Sequence, residues 1–81
     1  MKKDIVTKII GEEKVKLLTE EELMLIIKLI SQIDQEVKED SLKQLLKNTI
    51  EKGQVYDGDG LVGKEYIRKA TLSKSIIEKL G

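Results

Sequence analysis

The chain contains no cysteine, histidine, proline, phenylalanine or tryptophan. The lack of cysteine excludes disulfides and thiolate metal sites. The lack of histidine removes the commonest general base and the commonest metal ligand, so an enzyme would have to work with carboxylates, lysines and hydroxyls alone. The composition therefore points away from catalysis, and no cofactor, metal ion or small-molecule substrate is expected. With Tyr56 and Tyr66 as the only aromatic residues and eleven isoleucines in the chain, the core has to be built by aliphatic packing. The longest apolar run, Leu23 to Ile27, is far short of the roughly 20 residues that span a bilayer. The first residues also lack the basic, apolar, small-residue order of a secretory signal. A soluble, cytoplasmic protein that does not enter the membrane is expected.

What is present is one unit, residues 1–81, with no repeat and no low-complexity linker. A domain of this size buries only roughly 60% of the surface its unfolded chain exposes, so its margin of stability is thin. Fifteen acidic and fifteen basic side chains cancel. They are segregated, however: residues 1–11 carry +2, residues 12–40 carry nine acids against four bases (−5), and residues 41–81 carry eight bases against five acids (+3). Polarity of this kind suits a mixed-charge partner or a second copy better than general affinity for nucleic acid, which shows as a basic excess.

The clearest boundary is Leu18-Thr19-Glu20-Glu21-Glu22-Leu23. Thr19 and Glu22 have the spacing of a capping box, Leu18 and Leu23 that of a hydrophobic staple, and three glutamates in the first turn complement the helix dipole. A helix over about 20–36 follows. On a helical wheel Leu23, Ile26, Ile27, Leu29, Ile30, Ile33 and Val37 cover one broad arc, and Met24 and Leu25 widen it on both sides. Such a helix either runs through the middle of the core or lends surface to another chain. A second helix is expected over 40–52, capped by Asp40 or Ser41, with Gly53 at the left-handed position that ends helices. Its outer face carries Lys43, Gln44, Lys47 and Asn48. Ile5, Val6, Ile9 and Ile10 share one face of a short helix over 2–10 ended by Gly11, while Lys14-Val15-Lys16-Leu17 alternates like a strand.

The stretch Gly53-Gln54-Val55-Tyr56-Asp57-Gly58-Asp59-Gly60-Leu61-Val62-Gly63 admits three readings. Asp57, Asp59 and Gly60 resemble a fragment of an EF-hand or dockerin loop, and that resemblance implies a calcium-binding module. The register then puts Val55 and Tyr66 where oxygen ligands are needed. Asp-Gly pairs also favour the turns of a β-hairpin, here over 54–63, with a second strand running on toward Lys69. In the third reading, residues 63–80 form a helix and the glycine-aspartate stretch is a connection.

Two resemblances bear on function. The order helix, helix, glycine, ribbon, helix over 20–81, with Ile50-Glu51-Lys52-Gly53-Gln54-Val55 leading out of the second helix, looks like a winged-helix domain. That resemblance implies a DNA-binding regulator whose Lys43, Gln44, Lys47 and Asn48 face the duplex. Two aspartates at the wing tip and a neutral chain depart from the pattern, because both work against phosphate binding. The Tyr-Asp-Gly-Asp stretch, Lys64, Arg68 and the closing Leu80-Gly81 are similar to the tails of small uncharacterised phage and prophage proteins, which implies an accessory or regulatory protein of a mobile element.

The expected fold is mainly α: a small protein of three or four helices, with the short hairpin at 54–63 as its alternative feature. The expected function is non-enzymatic, acting by binding another protein or by self-association. The contact residues would be Met24, Leu25, Leu29, Tyr56 and Tyr66, a mix of aliphatic and aromatic anchors of the kind interfaces favour.

Overall fold

A computed structural model describes residues 2–56 and 63–81, with the side chains of residues 2, 3, 55, 56 and 63 outside that description. Among the described residues five helices follow one another: α1 (Lys2–Ile10), α2 (Glu12–Leu17), α3 (Glu20–Ser31), α4 (Glu39–Tyr56) and α5 (Gly63–Leu80). No strand occurs among the described residues. The alternating Lys14 to Leu17 segment is helical, in α2, so the count exceeds the three or four read from the sequence. Six residues are too few for a helical period to stand out from an alternating one.

α1 and α2 meet at Gly11, whose φ of 88° lies in the left-handed region and whose N–H donates to the Thr7 carbonyl at 2.8 Å. A Cβ at this glycine would meet nothing within 4 Å, so the position requires glycine for its backbone conformation and not for space. α3 begins with both hydrogen bonds of a capping box. The Glu22 N–H donates to Thr19 Oγ1 at 3.2 Å, and the Thr19 N–H donates to Glu22 Oε1 at 2.8 Å. Leu18 and Leu23, the staple pair, are both buried. Thr19→Ala removes an acceptor that nothing else replaces and is expected to lower stability by about 1 kcal/mol. For a domain of this size that is a fall of about 4–8 °C in melting temperature, read by circular dichroism.

α3 is shorter than its apolar arc suggests, ending at Ser31 and not near residue 36. The Ser31 hydroxyl donates to the Lys28 carbonyl at 2.9 Å, and the Gln32 and Ile33 N–H groups bond three residues back in a tightened last turn. The acids that follow explain why the helix stops. Asp34 and Glu36 would sit unfavourably at the negative end of α3, whereas Glu39 and Asp40 sit favourably in the first turn of α4. Between the two helices the chain turns so that Val37 reaches the core, 7% exposed. α4 therefore starts one residue earlier than expected, with Asp40 and Ser41 inside its first turn and the Leu42 N–H on the Lys38 carbonyl at 2.9 Å.

The larger correction concerns Gly53. It does not end the helix; α4 continues through Gln54 and Val55 to Tyr56. Gly53 is buried against α5, where a Cβ would stand 2.3 Å from Ala70 Cβ and 2.8 Å from the Tyr66 carbonyl oxygen. α4 and α5, 18 residues each, pack antiparallel with these small residues at the crossing. The expected hairpin at 54–63 is not what its described residues adopt: 54–56 belong to α4 and 63 begins α5, while 57–62 lie outside the described residues. The calcium-loop reading falls on those same residues. Among the described residues, no group of three or more acidic side chains is placed to hold a metal ion, and no helix is long and apolar enough to cross a membrane.

α3 touches α1, α4 and α5, and so occupies the centre of the molecule. Its Leu23, Leu25 and Ile26 join Val6 and Ile10 of α1, Leu42 and Leu46 of α4, and Ile76 and Leu80 of α5 in one aliphatic core. Burying each such side chain fully contributes roughly 1.5–3 kcal/mol before the entropy of ordering is subtracted.

Candidate interaction groove

The apolar residues of α1 and α3 outnumber what the core can cover. Val6 and Ile10 are buried, but Ile9 is half-buried and Ile5, one turn earlier on the same edge, is 47% exposed. Opposite them, Ile27, Ile30 and Ile33 come from the end of α3 and the turn that follows it, all half-buried. The 34–38 segment closes the far side, held down by Val37. Together they enclose an open groove of about 500 Å³ with an isoleucine floor (Ile5, Ile9, Ile30 and Ile33) and a charged rim of Lys8, Asp34, Glu36, Lys38 and Glu39. A dimple of about 60 Å³, between Ile5, Ile27, Ile30 and Ser31, opens beside it.

One rim residue is tied into the fold. Lys14 Nζ donates to Glu39 Oε1 at 2.8 Å, which links α2 to the start of α4. The bond from Lys14 holds the Glu39 carboxyl below its ordinary pKa, against partial burial and helped by the Lys14 and Lys43 charges. Lys8, Asp34, Glu36 and Lys38 are without an ion-pair partner among the described residues.

A second polar cluster lies between α3 and α5. Glu22 is 1% exposed, and its Oε1 accepts both the Thr19 N–H and Lys79 Nζ, the latter at 2.5 Å. Burial pushes the Glu22 pKa up, but Lys79, the Thr19 backbone, Ser75 and the Thr19 hydroxyl outweigh it, and the net shift is downward. Thr19, Glu22, Thr71, Leu72, Ser75 and Lys79 line an open depression here. The cluster caps α3 and fastens the C-terminal helix to it. Among the described residues, Glu22 Oε2 and the fully buried Ser73 Oγ have no hydrogen-bond partner.

Of the contact residues expected from the sequence, Met24 is, at 69%, the most exposed large apolar side chain among the described residues. In projection it lies about 60° from Ile27, beside the groove. Leu25 is a correction: at 6% exposed it belongs to the protein's own core, because the 100° step from Met24 turns it inward. Leu29 is half-buried and packs on the core. Tyr66 is half-buried at the α4–α5 crossing, with Lys69 Nζ 6.0 Å from its ring centroid. The Tyr56 side chain lies outside the described residues. Met24 lies on α3 and Tyr66 on α5 where it meets α4. On the outer face of α4, Gln44, Lys47 and Asn48 are exposed and Lys43 is half-buried. Gln44 Nε2 donates to Asn48 Oδ1 at 3.1 Å, so two of the four candidate base-reading groups already face each other.

The isoleucine groove itself was not singled out in the sequence, although its signal was there. Ile5 and Ile9 form an edge that Val6 and Ile10 leave over, and α3 carries more apolar residues than one side of a helix can bury. No known protein family, curated protein or solved structure matches the chain.

Proposed function

We propose that this chain is a small non-enzymatic interaction protein that acts by binding a protein surface through the groove between α1, α3 and the 34–38 segment. The observation that carries this reading is the isoleucine floor left open to solvent, with Ile5 47% exposed at its edge in a domain with little apolar surface to leave uncovered. Apolar surface of this kind, rimmed by charge, is the ordinary anatomy of a protein contact. The resemblance of the C-terminal third to phage proteins adds the proposal that the contact serves an accessory or regulatory role in a mobile element.

The winged-helix alternative keeps its exposed α4 face but lacks the ribbon that would flank it, because α5 occupies 63–80. No observation favours it over the groove. It predicts salt-sensitive retardation of duplex DNA that weakens when Lys43 and Lys47 are replaced by alanine.

The groove reading is tested by affinity purification of the tagged protein from its host beside an Ile5→Glu variant. Ile5 is half exposed, so the charge should leave the melting temperature within a few degrees while it puts a carboxylate into an apolar contact. Proteins retained by the wild type and lost from Ile5→Glu, with binding reproduced from purified components, support the reading. Identical profiles from the two folded proteins contradict it.

A further inference from the structure

We infer that the occupant of the groove is a second copy of this chain, so that the protein closes on itself as a two-fold dimer. The inference rests on the groove being a protein contact and names what fills it. Three observations select the second copy over a foreign partner.

The first is the sign of the rim. With Glu39 held by Lys14, the remaining charges are Lys8 and Lys38 against Asp34 and Glu36, two of each sign. A two-fold interface brings the same patch together with itself, so a patch of one sign repels its copy while a balanced one can pair acid with base twice over. This rim is balanced.

The second is the chemistry of the apolar surface. Ile5, 47% exposed, lines the groove with Ile9, Ile30 and Ile33, so the patch is aliphatic throughout. A two-fold axis sets the same patch against itself, and isoleucine surface of one chemistry on both sides is what an isologous contact requires.

The third is charge and area. The chain is neutral as a whole, so two copies approach without the long-range repulsion that keeps charged proteins apart. A standard interface takes roughly 800 Å² from each partner. Against 5878 Å² of accessible surface that is about a seventh of the molecule.

Sedimentation velocity over a dilution series of the full chain tests this, with wild type, Ile5→Glu and Lys8→Glu compared and folding checked by circular dichroism. The wild type is expected to dissociate on dilution from dimer to monomer. Ile5→Glu should raise the dissociation constant at least about 10-fold, the effect of losing an interface anchor. Lys8→Glu leaves the apolar surface intact but makes both rims net negative; it should also weaken the dimer, and added salt should recover part of the loss by screening. A wild type that stays monomeric throughout overturns the inference, and so does a dimer that neither variant weakens. A monomer that still captures a foreign protein in an Ile5-dependent way leaves the groove as a contact and removes only the second copy as its occupant.

Discussion

Gly53→Ala lowers the stability of this protein, although in an ordinary helix interior the same substitution raises it. Alanine is the better helix former by about 1 kcal/mol. Here the added methyl would lie 2.3 Å from Ala70 Cβ and 2.8 Å from the Tyr66 carbonyl oxygen. Neither obstacle is the tip of a flexible side chain, so α4 and α5 must separate, and their long contact is the most extensive in the fold. Overpacking of this kind costs about 1–3 kcal/mol. Since the fault lies in backbone and Cβ atoms, the net loss is expected near 2 kcal/mol, or about 10 °C in melting temperature. A thermal melt checks the direction. A double-mutant cycle checks the cause: in an Ala70→Gly background the nearest obstacle is gone, and Gly53→Ala should cost measurably less, by about 0.5–1 kcal/mol. A rise in melting temperature for the single variant would mean that Gly53 faces open space.

The second large effect is expected at Lys79. Lys79→Met removes the cation from a carboxylate that is 1% exposed and whose other oxygen has no hydrogen-bond partner among the described residues. Leaving a buried charge unpaired costs about 3–5 kcal/mol when the site is fully enclosed; Lys79 is itself about a third exposed, so water can partly replace it, and about 2 kcal/mol is expected at neutral pH. The pH dependence identifies the mechanism. In the native chain Glu22 has a pKa below its ordinary value near 4.5, so the stability it contributes is complete above that value and is lost as pH falls through the lower, folded one. Without Lys79, burial is opposed by fewer partners and the folded pKa rises. As pH falls the variant's carboxyl protonates first, and once the pH is below the lowered wild-type pKa no buried charge remains in either protein to be left unpaired. The gap between wild type and Lys79→Met should therefore be widest at neutral pH and narrow as acid is added. An equal gap at pH 7 and pH 4 would show that Lys79 acts through packing of its aliphatic stem alone.

These two positions also show where the sequence was legible and where it was not. The start of α3 was readable because a capping box and a staple are local: Leu18, Thr19, Glu22 and Leu23 lie within six residues, and each does in the fold what its spacing suggested. α1 was readable over 2–10 for the same reason, with paired isoleucines on one face and a glycine after them. The partner of Glu22 was not readable. Lys79 is 57 residues away, and nothing local distinguishes it from the other lysines of α5. Gly53 was misread because glycine has two uses that look alike in sequence: freedom of φ, which Gly11 uses, and absence of a side chain, which Gly53 uses. The end of α3 was misread because Ile33 and Val37 continue the apolar arc; Val37 is buried and Ile33 half-buried, but both belong to the irregular segment between α3 and α4. For the groove, the excess of apolar residues in α3 was visible from the start. Which of them were surplus depended on where α1 lay, and that places Ile30 in the groove and Ile27 in the dimple beside it while Leu25 goes to the core.

On the proposed function the protein meets its partner through the isoleucine groove. The most direct measurement is site-specific photo-cross-linking in the host, with a photoreactive amino acid in place of Ile5 in one strain and in place of Lys47, on the exposed face of α4, in another. Discrete adducts are expected from position 5, of twice the chain's mass when the partner is a second copy, and none of comparable yield from position 47. Adducts from position 47 with none from position 5 would contradict it and place the working surface on α4.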